Sequence, residues 1–401
     1  MNPTTIAAQF ERGAGILRLL PAFVTMRFNQ AGGRLHLHPA DWFPRGTQAG
    51  SIKERWLSSV LHPRGDSGEG LSFVNLSEND GDSATMRCAL PEAIEVLGAD
   101  LIGAETLARY GTWPVHAKFF DYNQPLFLHL HLDEASAARI GKAGKPEAYY
   151  FPVQLNNHPG VLPVTFFGLS PEVTREEFCE RLKAWEQGDT HITDLSRGYR
   201  LEPGTGWYTP PGVLHAPGSL LTYEVQWNSA SGGVFENVLS TSGEIYANSL
   251  ARAVPAERKE DWNAVLDLID WPVNLDPDYR AHYYRPGLPA ASADGSQGNF
   301  QERWIVYGNP YFGAKELVVP PGASVVVKDP QAYGCIVVQG HGRIGPWEAE
   351  APTLLRYGQP SADEFFVSAA AARDGVQVQN GGQIEPLVIL KHFGPGYPGM
   401  P

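Results

Sequence analysis

Short apolar runs with a two-residue period, punctuated by Gly and Pro, dominate this chain and predict strands more often than helices. Val115-His-Ala-Lys-Phe-Phe120 and Leu126-Phe-Leu-His-Leu-His-Leu132 both read as strands, with a turn at Asp121-Tyr-Asn-Gln-Pro125 between them. A third strand is expected over 148–155. Helical spacing is confined to a few places. After Pro91, the residues Ile94, Leu97, Leu101, Ala104 and Leu107 recur at helical intervals, with Gly98 and Gly111 as breaks or caps. Thr174-Arg-Glu-Glu177 fits a capping box, and Phe178, Leu182 and Trp185 follow on one face, which predicts an amphipathic helix over 171–187. A second is expected over 256–270. Residues 1–86 read as strands and loops, including the alternating Arg34-Leu-His-Leu-His38. The stretch from Trp271 to Asn299, rich in Pro, Gly, Ser and Ala, reads as a linker. From Phe300 onward the pattern is purely β: Glu316–Val319, Ser324–Lys328 and Gly334–Val338 are β-branched runs bounded by Pro-Pro-Gly and Gly-x-Gly turns. The expected class is mainly β, with barrels or sandwiches in both halves.

Composition narrows the partners. The 401 residues contain 43 Gly and 33 Pro with no fixed period, which fits many tight turns and excludes collagen. The net charge of −13 comes without a basic run, so nucleic acid and anionic membrane are poor partners. Cys88, Cys179 and Cys335 lie far apart and make no CxxC pair, as expected of a reducing, cytoplasmic setting. No run of about 18 apolar residues occurs, and the best N-terminal candidate, Gly15–Val24, is broken by Arg18 and Pro21, so neither a span nor a signal peptide is read.

The candidate chemistry lies in a few of the twelve histidines. His129 and His131, two residues apart on a strand, project from one face, while Leu128, Leu130 and Leu132 fill the other. Glu147 opens the next strand, and Pro210-Pro-Gly-Val-Leu-His215 is a turn that delivers a histidine onto a following strand. Three imidazoles plus a carboxylate suit a divalent transition metal with positions left open for substrate. His36 and His38 share the HxH spacing but lack a carboxylate or turn-borne partner, and they read as surface histidines. His341 and His392 have no partner in a metal spacing and read as structural.

HxH, then Glu, then a Pro-Gly-x-x-His turn, in that order, is the cupin signature. The insertion Asp133–Lys145 between His131 and Glu147, with the run Gly144-Lys-Pro-Glu147, makes the chain resemble the class I mannose-6-phosphate isomerases, in which a ligand strand is followed by a helical insertion and Gly-Lys-x-Glu. Pro114–Asp121, Phe167–Pro171, Leu201–His215 and Tyr223–Gln226 resemble the family's surrounding segments, and Glu54-Arg-Trp56 matches weakly. The resemblance implies two cupin-like jelly-roll barrels with small helical insertions. On it, residues 1–255 form a metal-binding domain with insertions at about 87–111 and 171–187, residues 256–299 a helix and linker, and residues 300–401 a metal-free barrel.

The implied activity is metal-dependent aldose–ketose isomerisation of mannose 6-phosphate, fructose 6-phosphate or a related sugar. The implied metal site is His129, His131, Glu147 and His215, holding zinc first, with manganese, nickel or iron as alternatives. Lys145, which faces the same side as Glu147, is the first candidate base, and Lys118 the second. Arg197 or Arg200 are candidates for meeting phosphate or sugar hydroxyls. A small-molecule sugar is the expected partner of a monomer or small homo-oligomer. Two departures bear on this. The family has Gln-x-His where this chain has His129-x-His131, and no arginine follows Gln226 in Trp227–Glu236, where the family carries one. The second departure predicts a weak or altered preference for a 6-phosphate. A three-His-one-Glu cupin oxygenase and a carbohydrate-binding protein without turnover are the alternatives.

Overall fold

The computed structural model describes residues 3–61, 69–77, 86–157, 163–238, 243–245, 250–290 and 299–401. The fold is mainly β: the described strands form a nine-, a seven-, a five- and a four-stranded sheet, and every ladder in them is antiparallel. No described helix is long and apolar enough to cross a membrane.

Alternation decides how the layers stack. The seven-stranded sheet runs in the order 284–286, 205–209, 147–150, 222–227, 115–120, 51–57, 22–26. One face carries Val115, Ala117, Phe119, Ala148, Tyr150, Tyr223 and Val225, which pack in one core with Ile336, Val338, Val388 and Leu390 of the C-terminal sheet. The alternate residues face the other way, toward the five-stranded sheet 196–200, 164–169, 215–216, 129–130, 233–234. Between these two sheets Phe120, Tyr149, Phe151, Phe167, Trp207 and Tyr279 form an aromatic core at one end. The outer face of the five-stranded sheet, with Leu128, Leu130, Leu132 and Leu214, is covered by Phe178, Leu182, Trp185 and Val265 from the helical segments.

The C-terminal half packs the nine-stranded sheet on the four-stranded sheet around Leu317, Val325, Val337, Phe365, Val378 and Ile389. The nine-stranded sheet is not built from the C-terminal third alone. Ile16–Leu20 pairs with Glu364–Val367, and Leu288–Pro289 pairs with Arg303 and Trp304.

Several elements depart from the periodicity. A helix at Pro3–Arg12 buries Ile6 and Gln9 in the region read as strands and loops. The alternating 34–38 segment makes no strand; only Leu37 forms an isolated bridge, to Leu355. The stretch after Pro91 is three helices, Leu90–Leu97, Ala99–Ile102 and Ala104–Tyr110, because Gly98 and Gly103 break it. The amphipathic helix is Arg175–Lys183, with Thr174 accepting from the Glu177 N–H, followed by a 3-10 turn. The expected helix over 256–270 reduces to a 3-10 turn at Ala256–Arg258 and the helix Trp262–Leu266, capped by Asp261. The expected linker instead holds helices Trp271–Asn274 and Tyr279–Tyr283 and strands Tyr284–Pro286 and Leu288–Pro289; its portion 291–298 lies outside the described residues. The C-terminal pattern also admits one helix, Ala369–Asp374.

Candidate metal centre

Only His129–Leu130 of the expected 126–132 strand pairs as a strand, with His131 just beyond its end, and the next strand is Glu147–Tyr150 in place of the expected 148–155. His215 stands directly across from His129 in the antiparallel ladder, so the two rings lie 4.1 Å apart, centroid to centroid. His131 projects from the same face, with Leu128, Leu130 and Leu132 fully buried on the other. The donor nitrogens of His129, His131 and His215 all lie within 4.8 Å of one another. Glu147 reaches in from the opposite sheet, its Oε2 3.0 Å from His131 Nε2 and its Oε1 3.0 Å from His215 Nε2. The insertion between His131 and Glu147 does contain a helix, Glu134–Ala138, capped by Asp133.

The turn before His215 is held from two sides. Gly212, in the left-handed region at φ +79°, donates its N–H to the His131 carbonyl at 2.7 Å. The fully buried Asn274 accepts from Leu214 N at 2.9 Å and donates to the Gly212 carbonyl at 2.8 Å. Asn274 lies in the stretch read as a linker. Its composition hid it; an Asn after Trp-Pro is also a plausible loop residue, and only burial distinguishes it.

The hydrogen bonds fix the tautomers. His129 Nδ1 meets the Phe127 carbonyl at 2.9 Å, His131 Nδ1 the Ser231 carbonyl at 2.9 Å and His215 Nδ1 the Val213 carbonyl at 2.8 Å. A carbonyl only accepts, so each Nδ1 carries the proton and each Nε2 presents a lone pair. Burial, reinforced by His215 and His131, pushes the His129 imidazole well below its usual pKa, and burial with Lys145 brings His131 down to about 4. The His129 and His131 rings are therefore neutral at neutral pH. Burial alone would favour a protonated Glu147, but Lys145 and His131 hold its carboxyl well below the usual range. His215 Nε2 and Glu147 Oε1 lie 3.0 Å apart, and the nitrogen is left without a hydrogen bond among the described residues. Converging lone pairs with each opposite nitrogen anchored on a carbonyl are what a divalent ion requires, and the donor set fits one. Bound there, such an ion supplies a Lewis acid for a carbonyl or hydroxyl oxygen.

A cavity of about 290 Å3 opens beside the cluster, lined by Trp56, Lys118, Phe127, His129, His131, Lys145, Gln226 and the Ser229–Val234 loop. Its wall was set by register. Trp56, Lys118, Glu224 and Tyr149 are direct cross-strand neighbours in one row of the seven-stranded sheet, and His116, Gln226 and Glu147 form the next. Lys145 Nζ donates to Glu147 Oε2 and to His131 Nε2, each at 2.8 Å. Lys118 Nζ lies 3.2 Å from Glu224 and 3.9 Å from Glu54. Burial opposes its charge, yet Glu224 and Glu54 hold its pKa above the ordinary lysine value, so Lys118 is a fixed cation. Burial and the like charge of Glu147 push the Glu224 carboxyl up to about 8. Glu54 in turn accepts from Trp56 Nε1 and Tyr122 Oη, each at 2.8 Å. Glu54, Glu224 and Trp56 are site residues that spacing alone did not reveal. The signal available was the two-residue alternation of Glu224-x-Gln226 in phase with Glu147-x-Tyr149.

Arg197 and Arg200 are not brought to this cavity. Arg197 spends its guanidinium on the Asp276 and Asn274 carbonyls, bracing the segment that clamps the His215 turn. Arg200 is exposed on the edge strand of the five-stranded sheet. His36 Nδ1 donates to the Pro352 carbonyl, and His392 is fully buried against Tyr223; neither belongs to a ligand cluster among the described residues.

No protein-family model and no curated protein matches the sequence. Solved structures do resemble the fold. Mannose 6-phosphate isomerase from Bacillus subtilis is 19% identical with a TM-score of 0.61, covering 94% of this chain and 100% of its own. A variant of phosphomannose isomerase from Salmonella typhimurium is 13% identical with a TM-score of 0.63, covering 95% and 100%. A mannose 6-phosphate isomerase bound with zinc and yttrium is 12% identical with a TM-score of 0.62 over the same shares. Over nearly its whole length, this chain has the fold of the mannose-phosphate isomerases.

Proposed function

We propose that the protein is a diverged member of the mannose-phosphate isomerase family and a metal-dependent aldose–ketose isomerase. One observation carries this reading: the three imidazoles and Glu147 turn their acceptor atoms onto one point inside the barrel, with Lys145 2.8 Å from two of them at the wall of a sugar-sized cavity. Interconversion of an aldose and a ketose moves one proton from C2 to C1, and a hydroxyl proton from O2 to O1. A group is needed that takes the first proton and returns it one carbon away. Lys145 and Glu224, 3.5 Å apart, are the groups placed to hold it, and Lys118 supplies fixed positive charge beside them. The aromatic end of the barrel, with Phe167, Tyr149 and Trp207, keeps water from the buried side of the cluster. His129, His131, Glu147 and His215 would hold the ion.

The test is an aldose–ketose interconversion assay on the full chain with zinc, manganese, nickel or iron added. Metal-dependent interconversion supports the reading. Oxygen consumption with iron, or a sugar bound but never interconverted, overturns it.

A further inference from the structure

We infer that the cavity takes an uncharged sugar and discriminates against its phosphate ester, an inference that rests on the isomerase reading and names its substrate class. The charges lining the cavity are the ground. Among the described residues that line it, the only lysine or arginine side chains are Lys118 and Lys145. Neither is available. Lys118 lies between Glu224 at 3.2 Å and Glu54 at 3.9 Å, and Lys145 between Glu147 at 2.8 Å and Glu224 at 3.5 Å. When Glu147 holds the ion, Glu224 and Glu54 still lie beside Lys118, and Glu224 beside Lys145.

A phosphate dianion needs uncommitted donors with positive charge, above all the planar fork of an arginine. The described lining offers no arginine. Its other hydroxyls are partly spent: Ser229 Oγ donates to the Ala143 carbonyl at 2.6 Å, and the Ser231 N–H points back to Ser229 Oγ at 3.3 Å. The two candidate arginines lie elsewhere, on the edge strand 196–200. An incoming phosphate would therefore meet two ammonium groups that already lie against carboxyl groups outside the lining.

A neutral polyol meets the opposite situation. Gln226 offers both an amide donor and an acceptor, and the Trp56 and Phe127 rings give its C–H surface an apolar wall. The volume also fits. About 290 Å3 is at the small end of ligand pockets, which run from about 300 to 1,000 Å3, and suits one monosaccharide better than a longer chain.

The experiment compares mannose and fructose with their 6-phosphates on one metal-loaded preparation of the full chain. Interconversion is read as kcat/KM and binding as quenching of tryptophan fluorescence. The free sugars are expected to exceed their esters at least about tenfold in both readouts, the scale of one missing charge-assisted contact. Higher kcat/KM or tighter binding for the esters would overturn the inference while leaving the isomerase reading in place. Free sugar that binds better than ester but is never interconverted overturns the isomerase reading and keeps the inference. Failure of either sugar form to bind overturns the inference. A second variant tests the cause directly. Ala230 is exposed on the cavity rim, so Ala230→Arg adds an uncommitted guanidinium, and it should raise the ester-to-free-sugar ratio about tenfold or more. An unchanged ratio in a variant that still folds and holds metal would show that charge at the rim does not set the preference.

Discussion

The two halves of the molecule each bury a polar cluster on the inner face of a sheet, and the clusters are built on opposite principles. In the C-terminal half, Lys391 lies 2.7 Å from Asp329 and also contacts Glu302, while Lys315 lies 3.0 Å from Asp329 and 3.5 Å from Glu302. Tyr397 Oη donates to Asp329 at 2.7 Å, and the rings of Trp304, Tyr333 and Phe393 close around the ammonium groups. Two cations face two anions, and nothing is left over. In the N-terminal half, three imidazoles and Glu147 bring their ring nitrogens and carboxyl oxygens together, and Lys145 is the one donor among them that reaches both Glu147 and His131. A cluster that neutralises itself is structural; a cluster with surplus acceptors beside a cavity is a binding site. The cupin-like sheet carries either, because the strand pattern fixes only which face a side chain occupies.

This contrast can be broken by mutation, and the largest expected effect is at the histidines. His215→Ala should leave a folded protein that no longer retains metal, read by metal analysis of purified protein. Added zinc should raise Tm in the parent chain and not in this variant, because only a state that binds the ion is stabilised by it. Lys391→Met removes one partner from the self-neutralised cluster and should cost about 3–5 kcal/mol in denaturant unfolding, with metal content per folded molecule unchanged. Loss of metal in that variant would erase the distinction between the two clusters.

Acid should act next. Burial pushes the His392 imidazole down to about 3, whereas in the unfolded chain it titrates near its ordinary value of about 6.5. Between those limits the unfolded chain binds a proton that the folded chain refuses. Stability therefore falls as pH drops from about 6.5 toward about 3, by up to about 1.4 kcal/mol per pH unit from this group. His392→Gln should flatten that part of the pH–stability curve, measured by denaturant midpoints. Asn274→Ala, which frees the turn carrying His215, should weaken metal affinity about 10- to 100-fold without abolishing the site. Arg200→Ala, exposed and away from the cavity, should change neither metal binding nor kcat/KM measurably; a clear loss would return that arginine to the site.

Much of the candidate site was legible because strand geometry is local. His129-x-His131 could be placed on one face from a two-residue period, and Pro210-Pro-Gly212 signalled the turn before His215 through residues that tolerate few other conformations. The Gly144-Lys-Pro-Glu147 run likewise put Lys145 and Glu147 on the same side. The arginines misled for the same local reason. Arg197 alternates correctly for a strand, but nothing in its neighbourhood in sequence tells that the Asn274 and Asp276 carbonyls, from a stretch composed like a linker, close over its guanidinium.

By itself, then, the amino-acid sequence determined the mainly β class, the short capped helix after Thr174, and a set of three histidines and one glutamate of the right type and order for a metal. It did so because alternation, capping and turn chemistry act over a few residues. Tertiary structure alone decided that Ile16–Leu20 completes a sheet of the C-terminal half, and that register puts Trp56, Lys118, Glu224 and Tyr149 in one row. It also decided that both lysines lining the cavity, among the described residues, lie against carboxyl groups. Those outcomes depend on pairings between segments tens to hundreds of residues apart. No local pattern encodes such a pairing, since each strand offers the same backbone donors and acceptors to any partner, and burial of the whole core selects among them.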